Sequence, residues 1–173
     1  MAERAHAAGA ILIVNDRADI ARLAGADGVH VGQDDLAPPA VRVIVGSVAI
    51  VGFSTHTVGQ LDTAVEQPVS YVAVGPVFAT MTKATGHAAI GLAMVRQASH
   101  RAGARGLPLV AIGGITLERA LSVIDAGAAS VAVISDLLAT GDPERRTREF
   151  LNRISTARPL SLIGFGRAPR RTL

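Results

Sequence analysis

Six short apolar runs divide this chain, and none alternates apolar with polar residues as a half-exposed strand would: Ile11–Val14, Gly28–Val31, Val48–Phe53, Tyr71–Val74, Leu109–Ile112 and Ser130–Ile134. Strands covered on both faces read this way, and such strands belong to parallel sheets flanked by helices. Between the runs lie longer stretches of helical spacing rich in Ala, Leu and Arg, with helix starts expected near Ala18, Pro38, Thr57, Ile90, Leu117 and Asp142. Asp142 stands before Pro143 and Glu144, an N-cap followed by proline in the first turn, and Thr116 stands before Leu117. Gly25, Gly46, Gly103 and Gly127 fall where helices should release the chain into the next strand. The alternation is that of a βα fold.

Polar residues able to do chemistry gather after these runs. Asn15 and Asp16 follow the first, Gln33, Asp34 and Asp35 the second, and Ser54 and His56 close the third. The fourth leads into Gly75–Lys83, the fifth into Gly113 and Gly114, and the sixth into Ser135 and Asp136. Parallel strands converge their C-terminal loops on one mouth, where α/β barrels and open α/β sheets place ligands. A closed (β/α)8 barrel is expected over an open sheet, because the last two loops are short and rich in Gly or Ser, like the phosphate site that barrels build after strands seven and eight. The visible strands would then be strands three to eight. On that count the sequence reads as a fragment, a mis-started frame or a chain that relies on a partner to cover the gap.

The residues that follow Arg158 lack periodicity, which divides the chain into a partial barrel domain over 1–158 and a basic, loose tail over 159–173. Arg167, Arg170 and Arg171 in that tail account for the whole net charge of +3, and with 3% aromatic residues the chain lacks the stacking platforms of single-strand binders. Nucleic acid is therefore not an expected partner. With 49% hydrophobic residues the chain can bury a core, no apolar run reaches the length of a membrane span, and there is no cysteine for a disulfide framework. A cytoplasmic enzyme without a membrane partner is the expectation, with a homo-oligomer possible through the open edges.

Lys83 is the only lysine. It sits in a loop that supplies hydroxyls from Thr80 and Thr82, a combination that suits phosphate. Asp16 and Asp35 lie one βα unit apart, so their carboxylates can face each other across the mouth. Mg²⁺ takes one or two protein carboxylates and fills its remaining positions with water and substrate phosphate oxygens. Asp34 rivals Asp35, and spacing does not separate them. Gly113 and Gly114 would let backbone approach a second phosphate, with Ile134 and Ser135 adding N–H groups and a hydroxyl. His30, inside an apolar run, reads as a satisfied core histidine, whereas His56 is open to a role.

The segments VND (Val14–Asp16), GVHVGQDD (Gly28–Asp35), GFSTHT (Gly52–Thr57), GPVFATMTK (Gly75–Lys83), AIGGIT (Ala111–Thr116) and Ser130–Ser135 together resemble the thiamine phosphate synthase family, in the same order and over nearly the whole chain up to Arg158. The resemblance implies a (β/α)8 barrel that couples a thiazole phosphate carboxylate to an aminopyrimidine methyl pyrophosphate. Carried over position by position, it implies that Asn15, Ser54 and Lys83 contact the pyrimidine pyrophosphate, with Lys83 catalytic, and that Asp16 and Asp35 hold Mg²⁺. It further implies that Thr80, Met81, Thr82, Gly114, Ile134 and Ser135 hold the thiazole phosphate. The implied chemistry is dissociative, pyrophosphate leaving before the thiazole nitrogen captures a pyrimidine methylene cation. The family's Gln-Leu-Arg-x-Lys segment on strand two has no counterpart here. Two alternatives stand beside this reading: a thiazole tautomerase relative, which carries His where this chain has Pro76, and a noncatalytic binder of phosphorylated ligands.

Overall fold

The computed structural model describes residues 1–80 and 86–157. Six parallel strands form one sheet in chain order: β1 (Ile13–Asn15), β2 (Gly28–Val31), β3 (Ile50–Thr55), β4 (Tyr71–Val74), β5 (Leu109–Ile112) and β6 (Ser130–Ala132). Helices α1 (Ala2–Ala7), α2 (Ala18–Leu23), α3 (Pro38–Val45), α4 (Val58–Ala64), α5 (Gly91–Gly103), α6 (Leu117–Asp125), α7 (Ser135–Leu138) and α8 (Pro143–Ala157) accompany them. The strands pair only with their sequence neighbours, so the described residues form an open run of six, the number expected in this chain, and not a complete ring of eight. The fold is a parallel, barrel-like α/β sheet.

The core follows from the uninterrupted apolar runs. Val29, Val31, Val51, Val72, Val74 and Ala111 are fully buried, and helices α2 to α6 and α8 close over them with buried apolar residues. In α5 these are Val95, Ala98 and Ala102, and in α6 they are Ala120, Val123 and Ile124, both sets at helical spacing. Leu61 of α4 is also fully buried, and its truncation to Ala would cost about 2–5 kcal/mol.

Helix boundaries track local chemistry. Thr57 caps α4 by accepting from Gln60 N–H at 3.2 Å, and Asp142 caps α8 by accepting from Arg145 N–H at 3.0 Å. Gly103 differs from its expected role: it is the last residue of α5, and Gly106, with φ +68°, turns the chain instead. The runs at Ile11 and Val48 extend beyond the strands; those two side chains are 52% and 71% exposed. α7 was not expected, because a four-residue helix has too few turns to show periodicity.

At the N-terminal ends of the strands, Arg42 of α3 ties two connections together. Its guanidinium donates to the carbonyl oxygens of Ala49 at 2.5 Å and Pro68 at 2.8 Å and to Ser70 Oγ at 3.0 Å. At the opposite side of the fold Arg146 of α8, 13% exposed, reaches Asp136 at 2.9 Å and Glu149 at 3.0 Å. Asp136 in turn accepts from the first N–H of α6, at Leu117, at 3.2 Å. Among the described residues no helix is long and apolar enough to cross a membrane. The stretch read as a tail, beyond 158, lies outside the described residues.

Candidate active site at the strand C-termini

The C-terminal ends of all six strands open onto one cavity of about 720 Å³. Asn15 and Asp16 reach it from β1, Asp34 and Asp35 from β2, Ser54 from β3, Thr80 from the segment after β4, Gly114 from β5, and Ile134 and Ser135 from β6. Eight positions named as ligand or metal contacts are thereby gathered around one space: Asn15, Asp16, Asp35, Ser54, Thr80, Gly114, Ile134 and Ser135. Met81, Thr82 and Lys83 lie outside the described residues.

Asp16 occupies the left-handed region with φ 65°, where asparagine and aspartate are the commonest non-glycine residues. Its N–H donates to His30 O at 2.7 Å, which stitches the end of β1 to β2. The helix that follows is capped at Arg17, so Asp16 is not a helix N-cap. Asp35 accepts from Gly32 N–H on Oδ2 at 2.7 Å, which fixes its carboxylate across the turn after β2. Gln33 Nε2 donates to Ser54 O at 2.6 Å and ties that turn to β3.

His30 is a satisfied histidine, yet it faces the cavity. Its Nε2 lies 2.7 Å from Ser54 Oγ and its Nδ1 2.9 Å from the Tyr71 hydroxyl. Burial lowers the His30 pKa from its ordinary value, the nearby Asp35 charge opposing, and burial pushes the Tyr71 phenol up to about 12. His56 places Nδ1 2.6 Å from Gly75 O, which assigns the ring proton to Nδ1, and it stacks on His87 with ring centroids 4.0 Å apart. His87 and Gln60, both on the cavity wall, carried no sequence signal, since neither follows directly on an apolar run. His30 was read only as a satisfied core histidine; its place on the cavity wall follows from the fold, where Val29 and Val31 on either side of it are fully buried and the alternation of β2 turns His30 to the other face.

The glycine corner is shaped by close approach. Gly114 has φ +62°, and a Cβ there would lie 2.6 Å from Ala79 O and 2.8 Å from Phe78 O. The segment after β4 lies against the β5 end, with Val77 N–H donating to Ile112 O at 2.9 Å and Phe78 N–H to Gly113 O at 3.0 Å. Arg119 secures the corner from outside, donating to Gly114 O at 3.1 Å with its guanidinium 4.8 Å above the Phe78 ring.

Among the described residues no cluster of three or more His, Cys, Asp or Glu side chains is positioned to hold a metal by itself. The pair Asp16 and Asp35 supplies oxygen donors of the kind a hard cation takes when water and phosphate complete its shell.

Comparison with known proteins converges on one family. The family model for thiamine monophosphate synthase matches residues 1–137. The chain is 52% identical over 140 residues to the thiamine-phosphate synthase of Koribacter versatilis, covering 81% of this chain and 64% of that protein. It is 47% identical over 152 residues to the thiamine-phosphate synthase of Synechococcus sp., covering 88% of this chain and 42% of that protein. The chain thus spans between two fifths and two thirds of the length of these relatives. Among solved structures, the thiamine phosphate pyrophosphorylase of Pyrococcus furiosus superposes with a TM-score of 0.80 at 28% identity, over 90% of this chain and 72% of that one. A native KDPGal structure, 18% identical with a TM-score of 0.66, shares the fold alone. With the motifs in order, the strand ends gathered on one cavity and the family model matched from the first residue to Leu137, the chain belongs to the thiamine monophosphate synthase family.

Proposed function

We propose that this protein forms thiamine phosphate by coupling a thiazole phosphate carboxylate to 4-amino-2-methyl-5-(diphosphooxymethyl)pyrimidine, with pyrophosphate as the leaving group. The observation that carries this reading is the convergence of two polar corners on one cavity, in a chain of this family: Asn15, Asp16, Asp35 and Ser54 on one side, and the glycine and backbone corner of Gly114, Ile134 and Ser135 on the other. Asn15, Ser54 and Lys83 would contact the pyrimidine pyrophosphate. Thr80, Met81, Thr82, Gly114, Ile134 and Ser135 would hold the thiazole phosphate.

Asp16 and Asp35 fit Mg²⁺ by donor chemistry, and they would hold it; bound there, it would neutralise charge on pyrophosphate oxygens. The remaining work falls to the chain's own groups. The bond between the pyrimidine methylene carbon and the pyrophosphate oxygen breaks with its electron pair leaving on oxygen, and the thiazole nitrogen lone pair forms the new C–N bond; the ring carboxylate then leaves as CO2, its electron pair staying on the ring carbon, which takes a proton from water. That sequence calls for charge neutralisation at the departing oxygen more than for a general base, which is the role proposed for Lys83.

The test is thiamine phosphate production by the purified protein from the two substrates with Mg²⁺, beside Lys83→Ala. Product formation with kcat lowered in the variant is expected. Absence of product would overturn the activity, and a change confined to KM would overturn the role given to Lys83.

A further inference from the structure

Ser54, His30 and Tyr71 form a continuous line of hydrogen bonds from the cavity wall into the sheet. The strand register explains it. His30 on β2 stands opposite Gly52 on β3, and Gly52 stands opposite Tyr71 on β4. Two strands apart means a backbone separation of about 10 Å, and the side chains cross it over a residue that has none. The rings stack with centroids 5.5 Å apart. A Cβ on Gly52 would lie 2.3 Å from the Tyr71 hydroxyl and 2.5 Å from His30 Nδ1, so glycine is what allows the two to meet. Ser54, two residues along β3 from Gly52, points to the same face and completes the line.

A neutral imidazole has one donor and one acceptor nitrogen, so the line has a direction. The two ring nitrogens of His30 face two hydroxyls and no carboxylate, and the neutral ring satisfies both. A phenol is a stronger acid than an aliphatic alcohol and hence the better donor, while the alcohol oxygen is the better acceptor. The favoured order is Tyr71 O–H to Nδ1 and Nε2–H to Ser54 Oγ. In that order the Ser54 hydroxyl proton is not used inside the line and points to the cavity.

We propose that Tyr71 and His30 are positioning residues that fix Ser54 as a hydrogen-bond donor toward an anionic oxygen, so that this point of the site takes a phosphate or pyrophosphate oxygen and disfavours a ligand donor. The ligand side of the inference rests on the reading of Ser54 as a pyrophosphate contact. The direction of the line does not.

Two measurements separate them. Long-range ¹H–¹⁵N spectra at neutral pH, with the His30 signals assigned by their loss in His30→Gln, should show Nε2 protonated and Nδ1 bare; a proton on Nδ1 would overturn the direction and with it the proposal. Calorimetry with Mg²⁺ and pyrophosphate as the probe should show binding weakened about tenfold in Tyr71→Phe, the loss of one ordinary hydrogen bond. His30→Gln, whose amide can still donate to Ser54, should recover most of the affinity lost in His30→Leu. In a Ser54→Ala background Tyr71→Phe should have no further effect, and an equal loss there would show that Tyr71 does not act through Ser54. If the unaltered protein fails to bind pyrophosphate, the reading of Ser54 as a pyrophosphate contact falls, and the spectra alone decide the direction of the line.

Discussion

At the scale of single residues, Asp16 concentrates the tension between stability and chemistry. A non-glycine residue in the left-handed region costs about 1–2 kcal/mol, and here it keeps a carboxylate at the cavity beside the end of β2. Asp16→Gly should therefore leave the protein about 1 kcal/mol more stable than Asp16→Ala, as read by denaturant midpoints. Both variants, and Asp35→Ala, should need more Mg²⁺ for half-maximal activity; unchanged magnesium titrations in Asp16→Ala and Asp35→Ala would remove these residues from the metal site. The strain at Asp16 was invisible in the sequence, where its spacing from Asp35, the phosphate loop and the family resemblance suggested a shared ligand. Asp34 and Asp35 were indistinguishable there for a related reason. Only the fold shows that Gly32 N–H orients Asp35. Gly114 gives a third outcome. Gly114→Ala adds a left-handed penalty to a contact with Ala79 O and should lower stability by about 2 kcal/mol while loosening the Pro76–Thr80 segment, measurable as lost affinity for the phosphorylated thiazole.

At the scale of elements, most of the fold was legible because buried parallel strands leave unbroken apolar runs. Gly28–Val31, Tyr71–Val74 and Leu109–Ile112 coincide with β2, β4 and β5 to the residue. The boundaries that slipped are those set by tertiary contacts. Val48 is apolar but precedes β3 on an exposed turn, and Ile134 caps the short α7 instead of extending β6. The Arg146 network was equally hidden, since it joins α6, α7 and α8 through side chains far apart in sequence. Asp136 read as a residue at a strand end; the structure uses it to receive both Leu117 N–H and Arg146. Arg146→Met should lower the denaturant midpoint, because it removes charged hydrogen bonds from the Asp136 carboxylate. The double variant Arg146→Met with Asp136→Leu should recover part of that loss in chemical denaturation, and full additivity would mean the two groups do not act as a unit.

At the scale of the whole molecule, the open run of strands sets a gradient of protection. β3 and β4 are each paired on both sides, while β1 and β6 each have one neighbour among the described residues, and Ile11, Leu138 and Leu151 are more than half exposed. Amide hydrogen exchange should be slowest in β3 and β4 and fastest in β1 and β6; uniform protection across the sheet would show that something covers the edges. The six strands expected in this chain are present and in order, whereas a ring of eight would need two strands that the described residues do not supply, because closure is a property of pairing and not of any one run. Arg42 carries a different consequence. By collecting carbonyls from the connections before β3 and β4, it secures the end of the sheet farthest from the cavity. Robustness and novelty are thus housed at opposite poles of one scaffold, and the loops at the mouth can be exchanged like tool heads while the handle keeps its grip.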